Sequence, residues 1–209
     1  MIDYILSGKN PKILFSTGVH GDEPVMVALV TAALKKYKAK LPSYLYIPKV
    51  SPSALALGTR KNGHGLDINR CFGKADVSEV EGIKEQLKDY HFDLHVDFHE
   101  DTILYEFYLY DCVTKAGESE LALKILEKVR GLGVKLWNGI DDPDDPALGN
   151  KVVNGYCRSH QSPAGMSFDE WTVTAGVAQG AIVPEIPGMV TKEMKKKIVE
   201  AIFQGIMQA

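Results

Sequence analysis

Cysteine is scarce, with three in 209 residues (Cys71, Cys112 and Cys157) and no Cys-x-x-Cys pair. So small, odd and widely spaced a set excludes a disulfide framework and reads as free thiols in a reducing compartment. A basic excess is also missing: 24 Lys and Arg against 27 Asp and Glu leave a formal charge of −3. Nothing here is built to neutralise a phosphate backbone, which disfavours nucleic acid as a partner. No apolar run approaches the 18 or more residues of a spanning helix. The first residues, MIDYILSGKNPK, lack the basic and then apolar pattern of a secretory signal. These absences lead us to expect a cytoplasmic protein that engages no membrane and acts on a small molecule or a short peptide. None of them bears on oligomeric state.

What is present is an ordinary globular balance, 45% apolar and 24% charged, in a length that suits one domain with a sizeable core. Ile13–Thr17 is a β-prone run broken by Gly18 to Pro24, and Val25–Lys40 then reads as a helix entered through Asp22 and Pro24. Tyr44–Val50 reads as a strand. The segment 51–73 reads as loop with short turns, and Asp76–Tyr90 as a helix. Phe92–His99 alternates as a strand should, with Ile103–Tyr110 as the next strand. Helices are expected at Glu118–Arg130, Ser167–Thr174 and Thr191–Met207, an acidic Pro-rich loop at 141–150, and a last strand at Ala181–Ile186. Alternating strands and helices predict a single α/β domain over residues 1–209, a three-layer sandwich with a mixed, mainly parallel sheet.

Ligands of such sheets sit at the carboxyl ends of strands, and polar residues collect there. His20 and Glu23 follow the first strand, His99 ends a central strand, and Glu185 lies in the last one. Arg60, Asp67, Asn69 and Arg70 share the glycine-rich loop. Two histidines and a carboxylate with a position left open suit a catalytic zinc, whereas structural zinc sites are closed and cysteine-rich. Glu185 stands among Ile182, Val183 and Ile186, where an unpaired carboxylate is costly and needs a reason. His64 and His160 read as loop histidines. His95 shares the parity of His99 but lies roughly 13 Å away along a strand, too far to be a co-ligand. Asp97 could be an outward residue of its strand, Asp67 and Asn69 turn residues, and Arg70 a surface cation.

Four stretches together resemble the zinc carboxypeptidases of the carboxypeptidase A type. Gly18-Val19-His20-Gly21-Asp22-Glu23-Pro24 is similar to the first metal motif. Gly58 to Arg70 is similar to the Arg…Gly-x-Asp-x-Asn-Arg loop, and Asp97-Phe98-His99 to the third-ligand strand. Ser167 to Trp171, followed by Ala181 to Glu185, is similar to the approach to the catalytic glutamate. The resemblance spans residues 13 to 188 and is nearest to the murein-tripeptide amidases and to the succinylglutamate desuccinylases/aspartoacylases. It implies one Zn²⁺ held by His20, Glu23 and His99, with water acidified toward a pKa of roughly 7. It implies Glu185 as general base and then acid, Arg60 at the oxyanion, and Asn69 and Arg70 on the substrate's carboxylate. Asp67 would accept the free N–H of His20. Only 21 residues follow Gly188, so the C-terminal β-domain of full-length desuccinylases is not expected.

The implied reaction is zinc-dependent hydrolysis of an amide or peptide bond beside a free carboxylate. Deacylation of an N-acyl amino acid is an alternative, as is a catalytically silent metal-binding module. The family's tyrosine position falls at Ser159-His160-Gln161-Ser162, with Tyr156 farther upstream. Glu170 competes with Glu185 as the catalytic acid. Glu100, Asp101, Asp169 and Glu170 either line the pocket, favouring a substrate with an ammonium group such as diaminopimelate, or form a solvated rim.

Overall fold

The central strands are buried almost continuously along their length, as strands covered by helices on both faces are. The computed structural model describes residues 2–113, 118–141, 149–159 and 165–208. Its strands are β1 (Ile5–Ser7), β2 (Ile13–Thr17), β3 (Tyr44–Ile47), β4 (Leu94–Asp101), β5 (Tyr108–Val113), β6 (Gly139–Ile140), β7 (Lys151–Val152), β8 (Tyr156–Arg158) and β9 (Gly180–Pro187). Its helices are α1 (Pro24–Tyr37), α2 (Pro52–Leu57), α3 (Ser78–Leu87), α4 (Glu120–Gly131), α5 (Phe168–Thr174) and α6 (Lys192–Ile206). The main sheet runs β1-β3-β2-β4-β9-β5-β8. Its centre, β3 through β9, is parallel, while β1 and β5 run antiparallel to β3 and β9. This is the mixed, mainly parallel α/β sandwich expected from the sequence.

Parity decides which layer each residue meets. Ile13, Phe15, Val96, Phe98, Ile182 and Ile186 face α1, α4 and α6, with Phe203 of α6 stacked near Phe15, Tyr37 and Phe98. Leu14, Leu45 and Ile47 face α3 and the start of α5. The odd-numbered residues of β4 beyond Leu94 (His95, Asp97, His99) therefore share the α5 side of the sheet. In register with them on either side are Ser16 of β2 and Glu185 of β9.

Two expectations are corrected. The loop at 51–73 contains α2, capped by Ser51, opened by Pro52 and closed by left-handed Gly58, and a short 3₁₀ turn at Ile68–Arg70. The capping signals were in the sequence, but six residues are too few to show a helical period. The strand expected at Ile103–Tyr110 starts at Tyr108. The Asp101 carboxylate accepts the backbone N–H groups of Ile103 and Leu104, turning the chain so that Ile103 is 78% exposed. The acidic loop at 141–150 and His160 lie largely outside the described residues. Among the described residues no helix is long and apolar enough to cross a membrane, and all three cysteines are free and buried.

Phe203→Ala should remove a buried ring from the α6 layer at a cost of about 3–5 kcal/mol. At roughly 2–4 °C per kcal/mol for a domain of this size, calorimetry should show a fall in Tm of about 6–20 °C.

Candidate metal and substrate site

β2 is followed by two glycines, Gly18 and Gly21, for steric reasons. Gly18 has φ +69°, and a Cβ on Gly21 would lie 1.9 Å from the Ala54 carbonyl oxygen. The chain between them can therefore press against α2 and swing His20 and Glu23 back over the sheet, where His99 ends the buried stretch of β4. Among the described residues, His20, Glu23 and His99 form a set whose donor atoms all lie within 4.8 Å of one another. All three side chains are buried.

Both imidazoles are aimed the same way. His20 Nδ1 lies 2.7 Å and His99 Nδ1 3.3 Å from the Glu23 carboxylate. Each Nε2 is backed by a second carboxylate: Asp67 Oδ1 at 3.3 Å from His20, and Asp97 Oδ2 at 3.2 Å from His99. Such carboxylate–histidine pairs fix the tautomer and leave the other nitrogen for a cation. The donor set fits a divalent metal on this ground, because two neutral imidazoles, one ligand carboxylate and two backing carboxylates concentrate negative charge around one point. Without a cation His99 takes up the burden. Burial opposes charge on both Glu23 and His99, yet their mutual attraction holds Glu23 well below the usual carboxylate range and raises His99 well above the usual imidazole range.

Asp97 is fully buried, which corrects the alternative that it points outward. Its Oδ1 accepts from Ser16 Oγ at 2.6 Å. Asp67 does three things: it backs His20, accepts Arg60 Nε at 2.9 Å and caps the 3₁₀ turn at the Asn69 N–H. The Asp67 carboxyl stays below its usual range despite burial, because His20, Arg60 and Arg70 surround it.

His20, Glu23, His99, Arg60, Asn69, Arg70 and Glu185 all line one cavity of about 250 Å³. Glu185 lies directly beside His99 across the β4–β9 pairing. Burial, reinforced by Glu23, Asp141 and Asp101, outweighs the attraction of His99 and raises its carboxyl well above the ordinary range. Asn69 uses its Oδ1 to accept the Phe168 N–H at 3.0 Å, so its NH₂ is the part left to donate.

Glu170 is absorbed in the capping box of α5, where it accepts the Ser167 N–H. Asp169 is 5% exposed and lines the cavity, accepting from Cys112 Sγ at 2.9 Å. These two acids are therefore buried and do not form a solvated rim. Tyr156 sits away from the cavity and donates to Asp111. His95 is buried and hydrogen-bonded to Ser16 and Thr172, outside the ligand set.

The sequence profile of the succinylglutamate desuccinylase/aspartoacylase catalytic domain matches residues 9–142. The chain belongs to this family. Murein peptide amidase A of Vibrio campbellii is 36% identical over 70 residues, 34% of this chain and 28% of that protein. The chain thus matches little more than a quarter of that relative. Among solved structures, a protein assigned as a metallopeptidase from Shewanella denitrificans superposes with a TM-score of 0.80 at 22% identity, covering 98% of this chain and 78% of that one. A metallo-carboxypeptidase from Burkholderia cenocepacia gives a TM-score of 0.69 at 13% identity, covering 97% and 57%. At such identities these two show a shared fold.

Within this family member, two cavity residues escaped sequence reasoning. Tyr108 lies in register opposite Glu185 and shares the carboxylates of Asp101 and Asp141, and Tyr110 also bonds Asp141. Their same-face spacing on a strand was visible. Their place beside β9 was not, because an antiparallel insertion between β9 and β8 leaves no local mark.

A brace outside the cavity holds its arginine loop. Glu79 of α3 accepts from Ser51 Oγ, from both the N–H and Oγ of Ser53, and from Asn62 Nδ2. Burial would raise its pKa, but these donors lower it below 4.5. A carboxylate with a depressed folded pKa stabilises above its unfolded pKa and loses that effect as pH falls through the folded value. Glu79→Gln should therefore lower Tm at neutral pH, and the gap from wild type should close below about pH 4.5. A gap that is constant across a pH series of melts would contradict this.

Proposed function

We propose that the chain is a zinc-dependent hydrolase that cleaves an amide bond next to a free carboxylate. The observation that carries this reading is the convergence of three metal-donor side chains, an adjacent half-buried glutamate and two arginines on one cavity. Zinc in such a site supplies Lewis acidity toward the scissile carbonyl and lowers the pKa of water toward about 7. Glu185, beside His99 and with its affinity for a proton raised by burial, takes the proton of the attacking water and then delivers it to the departing amine. Arg60, held at Nε by Asp67, offers its remaining guanidinium N–H groups to the charge that develops on the carbonyl oxygen. Arg70 and the Asn69 amide bind the substrate carboxylate, a planar group suited to a guanidinium fork. Asp67 and Asp97, at the Nε2 atoms of His20 and His99, orient the two rings so that both Nδ1 atoms would face a cation.

Asp169 favours a peptide substrate carrying an ammonium group over a simple N-acyl amino acid. A carboxylate so buried, met by a thiol donor, is better satisfied by a substrate cation. Murein peptides, the substrates in the name of the Vibrio campbellii relative, carry diaminopimelate and fit that requirement.

Elemental analysis should find about one zinc per wild-type chain and little in His99→Ala. Glu185→Gln should keep the metal and lose turnover by at least about 100-fold, the lower range for removing a general acid–base group. Equal zinc in wild type and His99→Ala would overturn the ligand set. A substrate panel should show cleavage of diaminopimelate-containing peptides and little of N-acetyl or N-succinyl amino acids, and the reverse order would favour the deacylase reading. Asp169→Asn should lose more activity on diaminopimelyl than on alanyl peptides, and equal losses would remove Asp169 from recognition.

A further inference from the structure

Behind His99 runs a line of polar side chains in the floor of the sandwich. Ser16, His95, Asp97 and Thr172 are each fully buried. From α5 inward, Thr172 Oγ1 lies 3.0 Å from His95 Nδ1, and His95 Nε2 lies 2.7 Å from Ser16 Oγ. Ser16 Oγ lies 2.6 Å from Asp97 Oδ1, and Asp97 Oδ2 lies 3.2 Å from His99 Nε2. The sequence suggested no role for Ser16, His95 or Thr172.

Counting hydrogens fixes the direction of the bonds that converge on Asp97. The Asp97 carboxylate has no hydrogen to give, so the one hydroxyl hydrogen of Ser16 goes to Asp97. The Ser16 oxygen can then only accept, and His95 Nε2 must carry the hydrogen that reaches it. A neutral imidazole has one N–H, which leaves His95 Nδ1 bare to accept from the hydroxyl of Thr172. The Asp169 carbonyl, 2.8 Å from Thr172 Oγ1, competes for that same hydrogen. The one hydroxyl hydrogen of Thr172 is shared between the Asp169 carbonyl and His95 Nδ1, since a hydrogen on Nδ1 as well as on Nε2 would make His95 a cation among Phe168, Ser16 and Thr172. Full burial opposes that charge and lowers the imidazole pKa.

We propose that His95, locked as its Nε2–H tautomer between Thr172 and Ser16, is a positioning residue for the metal site. All four bonds then donate toward Asp97, and each strengthens the next. Asp97 is saturated from one side by Ser16 and must take the Nε2 hydrogen of His99 on the other. With Nε2 committed to Asp97, Nδ1 is the His99 atom that faces Glu23 and that a cation would meet. The line also ties α5, which carries Asp169 at the cavity wall, to a ligand in the central strand. This role rests on the proposed metal site, but the tautomer does not.

The test has two readouts. In ¹⁵N–¹H correlation spectra of the whole metal-free protein, His95 should show the neutral Nε2–H pattern, and an imidazolium or Nδ1–H pattern would overturn the proposal. Zinc affinity, measured by chelator competition, should fall about 10–100-fold in His95→Phe, the range for disrupting the groups that orient metal ligands. His95→Gln, which keeps an N–H donor for Ser16, should recover most of it. Matching affinities in wild type and folded His95→Phe would overturn the positioning role while leaving the metal site standing. Should His95→Phe not fold, Ser16→Ala makes the same affinity comparison. A wild type that binds no zinc would remove the metal site, and the positioning role with it, whatever the tautomer.

Discussion

The constraint on which the rest depends is the packing of several carboxylates around two buried imidazoles. Glu23, Asp67 and Asp97 are held below the ordinary carboxylate range by the two histidines and the hydrogen bonds around them, while Glu185, with no comparable donors, is driven above it. Burial pushes all four upward to different extents, and the partners decide the sign. This separation keeps three groups as anions for a cation to meet and keeps the fourth ready to hold a proton.

The scaffold serves that arrangement through strand parity and register. The even-numbered apolar residues of β4 lock it to α1 and α6, leaving its odd positions to His95, Asp97 and His99 on the other face. Register with β2 and β9 then adds Ser16 and Glu185 without further specification. A one-residue slip in β4 would turn all three of its polar residues toward the helix layer. The glycine-rich loop contributes differently. Its short helix, its 3₁₀ turn and its brace to Glu79 make it a fixed wall, so Arg60, Asn69 and Arg70 meet the cavity at set points.

Much of this was legible in the residues alone. The order of elements, the α/β class and the candidate donors followed from alternation, glycine punctuation and the tendency of ligands to collect at strand ends. The motif spacing from His20 to Glu185 named a set that the fold brings to one cavity. What could not be read there shares one physical property: it depends on neighbours distant in sequence. Asp97 looked like an alternating surface residue until β2 placed Ser16 against it, some eighty residues away in the chain. Asp169 and Glu170 looked alike, yet only Glu170 is tied into the cap of its own helix, while Asp169 meets Cys112 of β5. Tyr108 and Tyr110 enter the site because β5 runs antiparallel beside β9.

The sequence by itself determined which side chains are chemically able to hold a metal, move a proton and bind a carboxylate, because donor type and local spacing are properties of the chain. The tertiary structure decided which carboxylates back the histidines, which acids are buried and which way the hydrogen bonds behind His99 point. Those outcomes arise from register and packing between segments far apart in sequence, where a buried group must find its partner or lose the free energy of its hydration.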